Sequence, residues 1–397
     1  MTTIPAELPQ SALRPSGAGS AGDADDRALV EALAFRFGQA FDSYLVVEPD
    51  RNYFWSKDRT GVVGYTVRGR YVHVVGGLLT EPKDRPALLS DFVSFVRSRG
   101  RTKVLAFYNL LREDLPPFEA AGFQITKCGE EPLVDLTRTT WAGSQYEWLR
   151  RQESYCRRQG VTCVEVGPGD GVAAVADELR AVSRAHVEQT PHGQEMGYFV
   201  SRFDPDRLAR RRVFVARAKD GRIEGFIVCN PCTNGRMWAI ETYRRLEDAT
   251  RGVIPFSMMQ AMRKMKAEGV ETVSLSLVPS LRAEEGYPGD SKMLRYGQVL
   301  WWRYLNWLYD MRGIYHYKSR FRPEFRNMYI AAQPRLTLPS IKSFFDTWGM
   351  FDVPGRRLIA NIARRRRKSD ARRTLANPEQ PGGDAGSPAA GHDAPRP

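Results

Sequence analysis

The sequence predicts an α/β (α+β) protein of two tandem halves, each a mixed sheet flanked by helices. The chain has 397 residues, which exceeds the length that a single hydrophobic core usually supports. Hydrophobic residues make up 42% of it and charged residues 26%, a composition typical of globular proteins. An order of hairpin, helix and strand occurs twice along the chain, which indicates a structural duplication.

The first half follows an N-terminal leader that lacks the apolar core of a signal peptide. A short amphipathic helix is predicted for DDRALVEALAFRFG, and a hairpin turning at Arg68 to Arg70 for GVVGYTVRGRYVHVVGG. A helix ending at Gly100 is predicted for RPALLSDFVSFVRSRG, because its apolar residues recur at helical spacing. The order then continues with the strand TKVLAFYN, a short helix ending AAGF, and two strands, FQITKC and EPLVDL.

The second half repeats this order after a linking region. The linker comprises an Arg-rich helix in EWLRRQESYCRRQG, a strand, and a helix from about Val172 to Gln189. A hairpin with an Asp220-Gly221 turn follows in VFVARAKDGRIEGFIVCN. The helix IPFSMMQAMRKMKAEG has a methionine stripe that we expect to lie in the core, and the strand VETVSLSLVP comes after it.

We predict five regions along the chain from these patterns and from composition. They are a disordered leader (1–26), the first half (27–140), linking helices with the second half (141–335), an aromatic and basic segment (336–373) and a disordered tail (374–397).

Composition limits the partners and the compartment. The 59 Lys and Arg residues against 46 Asp and Glu leave a net charge of +13, which favours polyanions such as nucleic acid or anionic lipid. Five scattered cysteines indicate a reducing compartment, and neither Cys229 with Cys232 nor the five histidines form a metal-site pattern. The longest apolar window, QVLWWRYLNWLYDM, is too short to span a bilayer, which needs about 20 residues. We therefore expect a cytoplasmic protein without a metal.

The segment YHYKSRFRPEF combines aromatic and cationic residues near the end of the second half. Read as an extended strand, it places alternate residues on opposite faces. One face would pack through its aromatic rings and the other would present a row of cations. The cationic row comprises His316, Lys318, Arg320 and Arg322.

The hairpin, helix and strand order resembles that of acetyltransferase-like (GNAT) acyltransferases. Members that use coenzyme A hold its pyrophosphate on a Gly-rich turn at a helix N-terminus. The corresponding stretch in this chain, RRLEDATRGVIPFSMM, contains a single glycine, Gly252. The coenzyme A alternative is therefore weakened.

Six segments in the same order resemble the catalytic domain of bacterial phosphatidylglycerol lysyltransferases, over roughly residues 35–332. They are KCGEEPLVDL (127–136), RRQG (157–160), EMGYF (195–199), RGVIPF (251–256), VSLSLVPS (273–280) and YHYKSRFRPEF (315–325). The resemblance implies transfer of an aminoacyl group from a charged tRNA to a phospholipid hydroxyl. Aminoacyl-tRNA is then a co-substrate, and no cofactor is expected.

The resemblance also implies roles for particular residues. Catalytic roles fall to Lys318, Arg320, Ser276 and Tyr317, as cations or as polar groups that orient the acceptor hydroxyl. Substrate-binding roles fall to Arg244, Arg245 and Arg322 for phosphates and to Glu131 or Glu241 for the amino group.

Three departures from the family pattern qualify these expectations. Thr242 stands where the family has an acidic residue, with Glu241 beside it, which leaves the transferred amino acid open. The family's Gly-Asp-Pro turn is represented by GGLLTEP, and the family's N-terminal membrane domain has no counterpart in this sequence. We assign contact with the inner face of the cell membrane to SFFDTWGMF and the RRRRK run.

Two alternatives to this activity remain open. One is a coenzyme A-dependent N-acyltransferase of the same fold, and the other is an adaptor that binds RNA or membrane without catalysis.

Overall fold

The computed structural model describes residues 22–190, 193, 195–198, 200–306 and 309–350. The strands in this part of the chain are β1 (Asn52–Trp55), β2 (Val62–Arg68), β3 (Tyr71–Val74), β4 (Val104–Leu110), β5 (Gln124–Asp135), β6 (Thr162–Val166), β7 (Arg212–Arg217), β8 (Ile223–Cys232), β9 (Met237–Arg245), β10 (Thr272–Ser274), β11 (Val278–Pro279) and β12 (Glu324–Gln333). The helices are α1 (Gly22–Phe37), α2 (Arg85–Ser98), α3 (Leu115–Ala120), α4 (Glu147–Arg158), α5 (Asp170–Ala173), α6 (Ala176–Gln189), α7 (Val253–Ala267), α8 (Lys292–Leu300), α9 (Met311–Ser319) and α10 (Leu338–Trp348).

The strands form one continuous mixed sheet. Its order is β1-β2-β3-β4-β12-β5-β10-β9-β8-β7-β6, with β11 paired to β5. Read from either edge inward, the sheet has antiparallel strands followed by a parallel pair, β3 with β4 on one side and β9 with β10 on the other. A helix joins the strands of each parallel pair, α2 in the first half and α7 in the second. The predicted two-half α/β fold is thus confirmed.

The two halves exchange their last strands at the centre of the sheet. β12 lies between β4 and β5 of the first half, and β5 pairs in turn with β10 of the second half. β5 and β12 run antiparallel over most of their length, from Glu324 opposite Leu133 to Ala332 opposite Gln124. The halves therefore share their backbone hydrogen bonds at this seam.

Each half packs its own helix on its own part of the sheet. In the first half, Phe92 of α2 packs edge-on against Phe107 of β4. In the second, the predicted stripe of α7 lies in the core, with Met259, Met262 and Met265 fully buried. The helical spacing of apolar residues predicted both helices, because in each the buried face is continuous.

Several elements differ from the sequence prediction. FQITKC and EPLVDL form the single strand β5, whereas VETVSLSLVP breaks into β10 and β11. Strands β1, β9 and β12 were not predicted. α1 starts at Gly22, within the predicted leader. The RRRRK run and the tail lie outside the described residues.

The extended reading of YHYKSRFRPEF was wrong for all but its last two residues, Glu324 and Phe325, which begin β12. The Asp310 carboxylate accepts a hydrogen bond from the Gly313 N–H and caps α9, which continues to Ser319. Within this helix Met311, Ile314 and Lys318 recur at helical spacing and line the same cavity. The row of alternating cations therefore does not form, because the helix turns Lys318 into the cavity, whereas His316 and Arg320 lie outside its lining with their side chains 2.8 Å apart.

Gly129 is the position where β5 accommodates both β12 and β11. Its φ is +147°, and a side chain there would collide with the Val278 carbonyl oxygen of β11. We expect Gly129→Ala to lower the free energy of unfolding by about 3 kcal/mol, because backbone strain and a clash with rigid backbone add together. Denaturant unfolding monitored by circular dichroism measures the change.

Gly221 offers a matched control for this substitution. Its φ is +87°, but apart from its own chain neighbours no atom lies within 4 Å of the position that a Cβ would take. Gly221→Ala should therefore cost about 1 kcal/mol, from backbone conformation alone. Equal losses in the two variants would contradict the close approach at β11.

Candidate active site

A cavity of about 550 Å³ opens where β9 and β10 separate. Their last paired residues are Ala239 and Ser274, after which β9 continues to Arg245 and β10 ends. The gap is held by the Ser276 hydroxyl, which donates to the Ile240 carbonyl at 3.1 Å. Helices α8, α9 and α10 supply much of the remaining wall, and α6 with the segment that follows it supplies another part.

Most of the cavity wall is apolar and much of it is aromatic. Trp301, at the end of α8, stacks on Phe345 of α10 with ring centroids 5.9 Å apart. Phe344 and Trp348 of α10 contribute two further rings. The sequence analysis did not assign these aromatic residues to a site. The signal that could have done so is the density of aromatic residues in WWRYLNWLY and SFFDTW.

Lys318 marks the polar end of the cavity. Its ammonium nitrogen donates to the Ser276 and Leu277 carbonyls at 3.1 and 2.9 Å. Both carbonyls belong to the break between β10 and β11, where Ser276 has a φ of +62°. The strand break therefore supplies two backbone acceptors that a regular sheet would have used for pairing.

The environment of Lys318 favours its neutral form. Burial lowers the pKa of the Lys318 amine to about 7, although the negative charges of Glu131 and Glu241 oppose the shift. A lysine in this state exchanges a proton near neutral pH. Its position in the cavity lining and its lowered pKa make Lys318 a candidate for proton transfer.

Glu241 of β9 also lines the cavity. One of its oxygens accepts the Ser201 N–H at 2.6 Å, and the other accepts from the Asn230 side-chain amide at 3.3 Å. Burial raises the pKa of the Glu241 carboxyl. A cationic group entering the cavity would favour its charged form again.

Arg244 lies on the same strand and faces the same space. Its guanidinium donates to the Glu195 carboxylate at 2.9 Å, and both side chains line the cavity. Burial lowers the pKa of Arg244. Of the nine site residues predicted from sequence, the structure brings four to this cavity: Lys318, Ser276, Glu241 and Arg244.

Three of the other predicted residues lie around α9 but outside the cavity lining. The Tyr317 hydroxyl donates to the Met258 sulfur at 3.5 Å, within the core of the second half. The Arg320 guanidinium lies over the Trp148 ring, 5.7 Å from its centroid. Arg322 is exposed and donates to a backbone carbonyl.

The remaining two predicted residues are also placed elsewhere. Glu131 of β5 is fully buried, where it accepts from Arg326 and from the Ser274 hydroxyl, each at 2.6 Å. It thus joins the two exchanged strands at the seam. Arg245 is exposed and donates to the carbonyls of the following residues.

The first half has an equivalent gap beyond the parallel pair β3 and β4. It holds a polar pocket of about 30 Å³, enough for a water molecule but not for a substrate. The Asn109 amide donates to the buried Asp42 carboxylate at 2.8 Å, and burial raises the pKa of Asp42 to about 7. Of these two gaps, the one between β9 and β10 has room for a ligand, and the one between β3 and β4 does not.

The start of α7 is the stretch that the sequence analysis matched to the pyrophosphate-binding turn of acetyltransferase-like folds. The Thr250 N–H, just before this helix, donates to the Glu224 carboxylate at 3.2 Å. Gly252 precedes the first residue of the helix with a φ of +88°, and its α-carbon faces the Gln152 side chain. A buried carboxylate at a helix start disfavours a second anion there.

Two features are absent from the part of the chain that the structure describes. None of their helices is long and apolar enough to cross a membrane. They also contain no group of three His, Cys, Asp or Glu side chains arranged to hold a metal ion.

Comparison with known proteins gives consistent matches. The family model described as "Phosphatidylglycerol lysyltransferase, C-terminal" matches residues 32–332. The phosphatidylglycerol lysyltransferase of Bacillus subtilis is 23% identical over 324 residues, which are 82% of this chain and 37% of that protein. That of a Staphylococcus epidermidis strain is 20% identical, over 79% of this chain and 36% of that protein. The chain thus spans little more than a third of these curated relatives.

Two solved structures have the same fold. The structure of L-PGS from Bacillus licheniformis superposes with a TM-score of 0.67 and 21% identity, and covers 82% of this chain and 96% of that chain. The C-terminal DUF2156 domain of a lysylphosphatidylglycerol synthetase from Agrobacterium fabrum gives a TM-score of 0.69 and 24% identity, with 84% and 99% covered.

Proposed function

The chain belongs to the phosphatidylglycerol lysyltransferase C-terminal family, and from that premise we propose that it transfers an aminoacyl group from a charged tRNA to a hydroxyl of a phospholipid such as phosphatidylglycerol. The observation that carries this proposal is a cavity with a reactive amine at a polar end and an aromatic wall along the rest. Phosphatidylglycerol has the matching arrangement, with the hydroxyls of its glycerol head group at one end and apolar acyl chains at the other.

The reaction exchanges one ester for another. The acceptor hydroxyl oxygen attacks the aminoacyl carbonyl carbon, a tetrahedral oxyanion forms, and the bond to the ribose oxygen of the tRNA breaks. The proton lost by the acceptor hydroxyl ends on that ribose oxygen. The two esters are close in energy, so the rate depends on positioning and on stabilising the oxyanion.

Lys318 is placed to move this proton. Its nitrogen is fixed by the Ser276 and Leu277 carbonyls and lines the cavity. With a pKa of about 7, the neutral amine accepts the proton of the acceptor hydroxyl, and the ammonium returns it to the leaving ribose oxygen. Ser276 acts as a positioning residue, because its carbonyl orients the amine and its hydroxyl ties the segment after β10 to the Ile240 carbonyl of β9.

Glu241 is suited to the α-ammonium group of the aminoacyl substrate. Its carboxylate lines the cavity and is oriented by the Ser201 N–H. The other cavity carboxylate, Glu195, is already paired with Arg244. The cavity therefore offers one carboxylate to a substrate cation, and the α-ammonium group of any amino acid can use it. A second cation, such as a lysine side chain, is not required, so the transferred amino acid need not be lysine.

The same geometry argues against coenzyme A as the acyl donor. The Glu224 carboxylate accepts from the backbone before α7, where an acetyltransferase-like fold would hold pyrophosphate. We therefore propose aminoacyl-tRNA as the donor and no cofactor. Since charged tRNA is cytoplasmic, we also propose action at the inner face of the cell membrane.

A transfer assay tests the proposal directly. Purified protein is incubated with tRNA charged with a mixture of radiolabelled amino acids and with vesicles that contain phosphatidylglycerol. We expect label to enter the organic phase, to depend on intact tRNA, and to identify the amino acid. Vesicles of phosphatidylcholine, which lacks the glycerol head group, serve as the control.

A negative result has a defined meaning. Label that stays with the tRNA, together with saturable binding of coenzyme A, would contradict the proposal in favour of a conventional acyltransferase. Equal labelling with RNase-treated tRNA would contradict the proposed donor.

A further inference from the structure

Helix α8 and the π-helical turn that continues it, Trp301–Leu305, expose a stripe of large apolar side chains. The stripe consists of Met293, Tyr296, Leu300 and Tyr304, with exposed fractions of 39, 64, 52 and 68%. The residues are three or four positions apart, so their side chains lie along one face. We call this face the α8 stripe.

The stripe is unusual for this surface. Seven large hydrophobic side chains of the described residues are exposed, and four of them belong to the α8 stripe. A fifth, Leu338 at the start of α10, is 68% exposed and lines the cavity. Single exposed apolar residues need no explanation, but an aligned group marks an interaction surface.

The opposite face of the same helix lines the cavity. Leu294, Gln298 and Trp301 contribute to its wall, and the Gln298 amide donates to the Lys127 carbonyl at 2.9 Å. Met293 belongs both to the α8 stripe and to the cavity lining. An exposed apolar surface is therefore continuous with an apolar interior through one helix.

Basic residues accompany the stripe. The segment from Ser291 to Asn306 contains Lys292, Arg295 and Arg303 and no acidic residue. Arg295 pairs with Asp290, whereas Lys292 and Arg303 are exposed. An apolar face flanked by cations is typical of helices that lie in the interface of an anionic bilayer.

We propose that the α8 stripe docks on the surface of an anionic phospholipid bilayer and brings the rim of the cavity to the lipid. The inference deepens the proposed function and rests on it for the identity of the acceptor. It differs from our sequence expectation, which assigned membrane contact to SFFDTWGMF and the RRRRK run. Residues Phe344 and Phe345 of that segment line the cavity instead.

A bilayer fits the stripe better than RNA, the other polyanion that the net charge of the chain favours. Single-stranded RNA binds proteins by stacking its bases on aromatic rings beside cations. Met293 and Leu300 have no aromatic ring on which a base could stack, and Met293 continues the apolar surface into the cavity. A lipid acyl chain can follow a continuous apolar surface into the cavity, whereas the charged backbone of RNA cannot.

The test measures binding to vesicles separately from transfer. The variant Tyr296→Ser, Leu300→Ser, Tyr304→Ser removes the exposed apolar groups, and Val164→Ser, at a residue 49% exposed on β6, is the matched control. We expect the triple variant to bind phosphatidylglycerol vesicles at least tenfold more weakly in sedimentation, and the control to bind as wild type does. The double variant Lys292→Glu, Arg303→Glu should weaken binding to anionic vesicles but not to neutral ones.

Transfer gives a second readout. The triple variant should lose transfer to vesicle lipid by a similar factor but keep transfer to a monomeric short-chain phosphatidylglycerol. Unchanged vesicle binding in the triple variant would overturn the inference, as would a loss of tRNA binding with vesicle binding intact. If wild type binds vesicles through the stripe but transfers nothing, docking stands and the proposed function fails.

Discussion

Replacing Lys318 with alanine is expected to reduce the rate of aminoacyl transfer by about 10²- to 10⁴-fold, the usual contribution of a group that transfers a proton. The amine sits at the polar end of the cavity, held by two backbone carbonyls, and no other described lysine lines that cavity. The loss should appear mainly in kcat, because the proton moves in the transition state rather than on binding. Single-turnover transfer from charged tRNA measures it.

The pH dependence separates proton transfer from a purely electrostatic role. Burial lowers the pKa of Lys318 to about 7, so the wild-type rate should rise as the pH passes 7 and level off above it. Lys318→Arg keeps a cation at this position, but a guanidinium does not lose its proton near neutral pH. In this variant the transfer rate should fall and the inflection near pH 7 should disappear. An equally steep pH profile in Lys318→Arg would contradict a proton-transfer role.

The same shift has a consequence for stability. Between about pH 7 and the ordinary lysine pKa of 10.5, the unfolded chain holds a proton on Lys318 that the folded chain does not. Wild type should therefore gain stability over this range relative to Lys318→Ala, while below pH 7 the buried ammonium opposes folding fully.

The exposed Lys57 provides the control for the rate measurements, because Lys57→Ala should change neither the transfer rate nor its pH profile.

Replacing Arg326 with alanine is expected to lower the free energy of unfolding by about 3 kcal/mol, because removing one partner of a buried ion pair leaves the other charge uncompensated. The guanidinium of Arg326 on β12 donates at 2.6 Å to Glu131 on β5, whose side chain is completely buried. Its removal leaves a buried carboxylate with the Ser274 hydroxyl as its remaining side-chain donor. Urea unfolding followed by tryptophan fluorescence measures the change.

Two comparisons test the cause of that loss. Arg138 pairs with Glu324, also on β12, but both side chains are largely exposed, so Arg138→Ala should change stability little. Combining Glu131→Gln with Arg326→Met removes both charges and should recover most of the stability. Failure of this double variant to recover would show that packing, rather than the buried charge, dominates.

Local patterns predicted most of the elements that pack a helix on a sheet. The Asp220-Gly221 turn between β7 and β8 and the methionine stripe of α7 were predicted correctly, since both depend on residues close in sequence. Elements that depend on distant partners were harder. The sequence of β12 lacks a regular strand pattern. It forms a strand because it pairs with β4 on one side and with β5 on the other.

The candidate site was predicted in part for the same reason. Lys318 was singled out for a position on a strand, but it reaches the cavity because α9 is a helix. Arg320, two residues later, then turns away toward Trp148. The aromatic wall escaped attention because α8 and α10 meet only in the folded chain, although each is recognisably apolar by itself.

The exchange of last strands also bears on how the protein is made. As the chain leaves the ribosome, β4 and β5 are complete long before β12, whose residues 324–333 must fill the space between them. Until then both strands present unpaired edges, which favour aggregation and chaperone binding. Ala331 finally contacts Phe107 and Ile125, so contact order is high and folding is expected to be slow. Gene fragments that encode either half alone would therefore yield insoluble polypeptides.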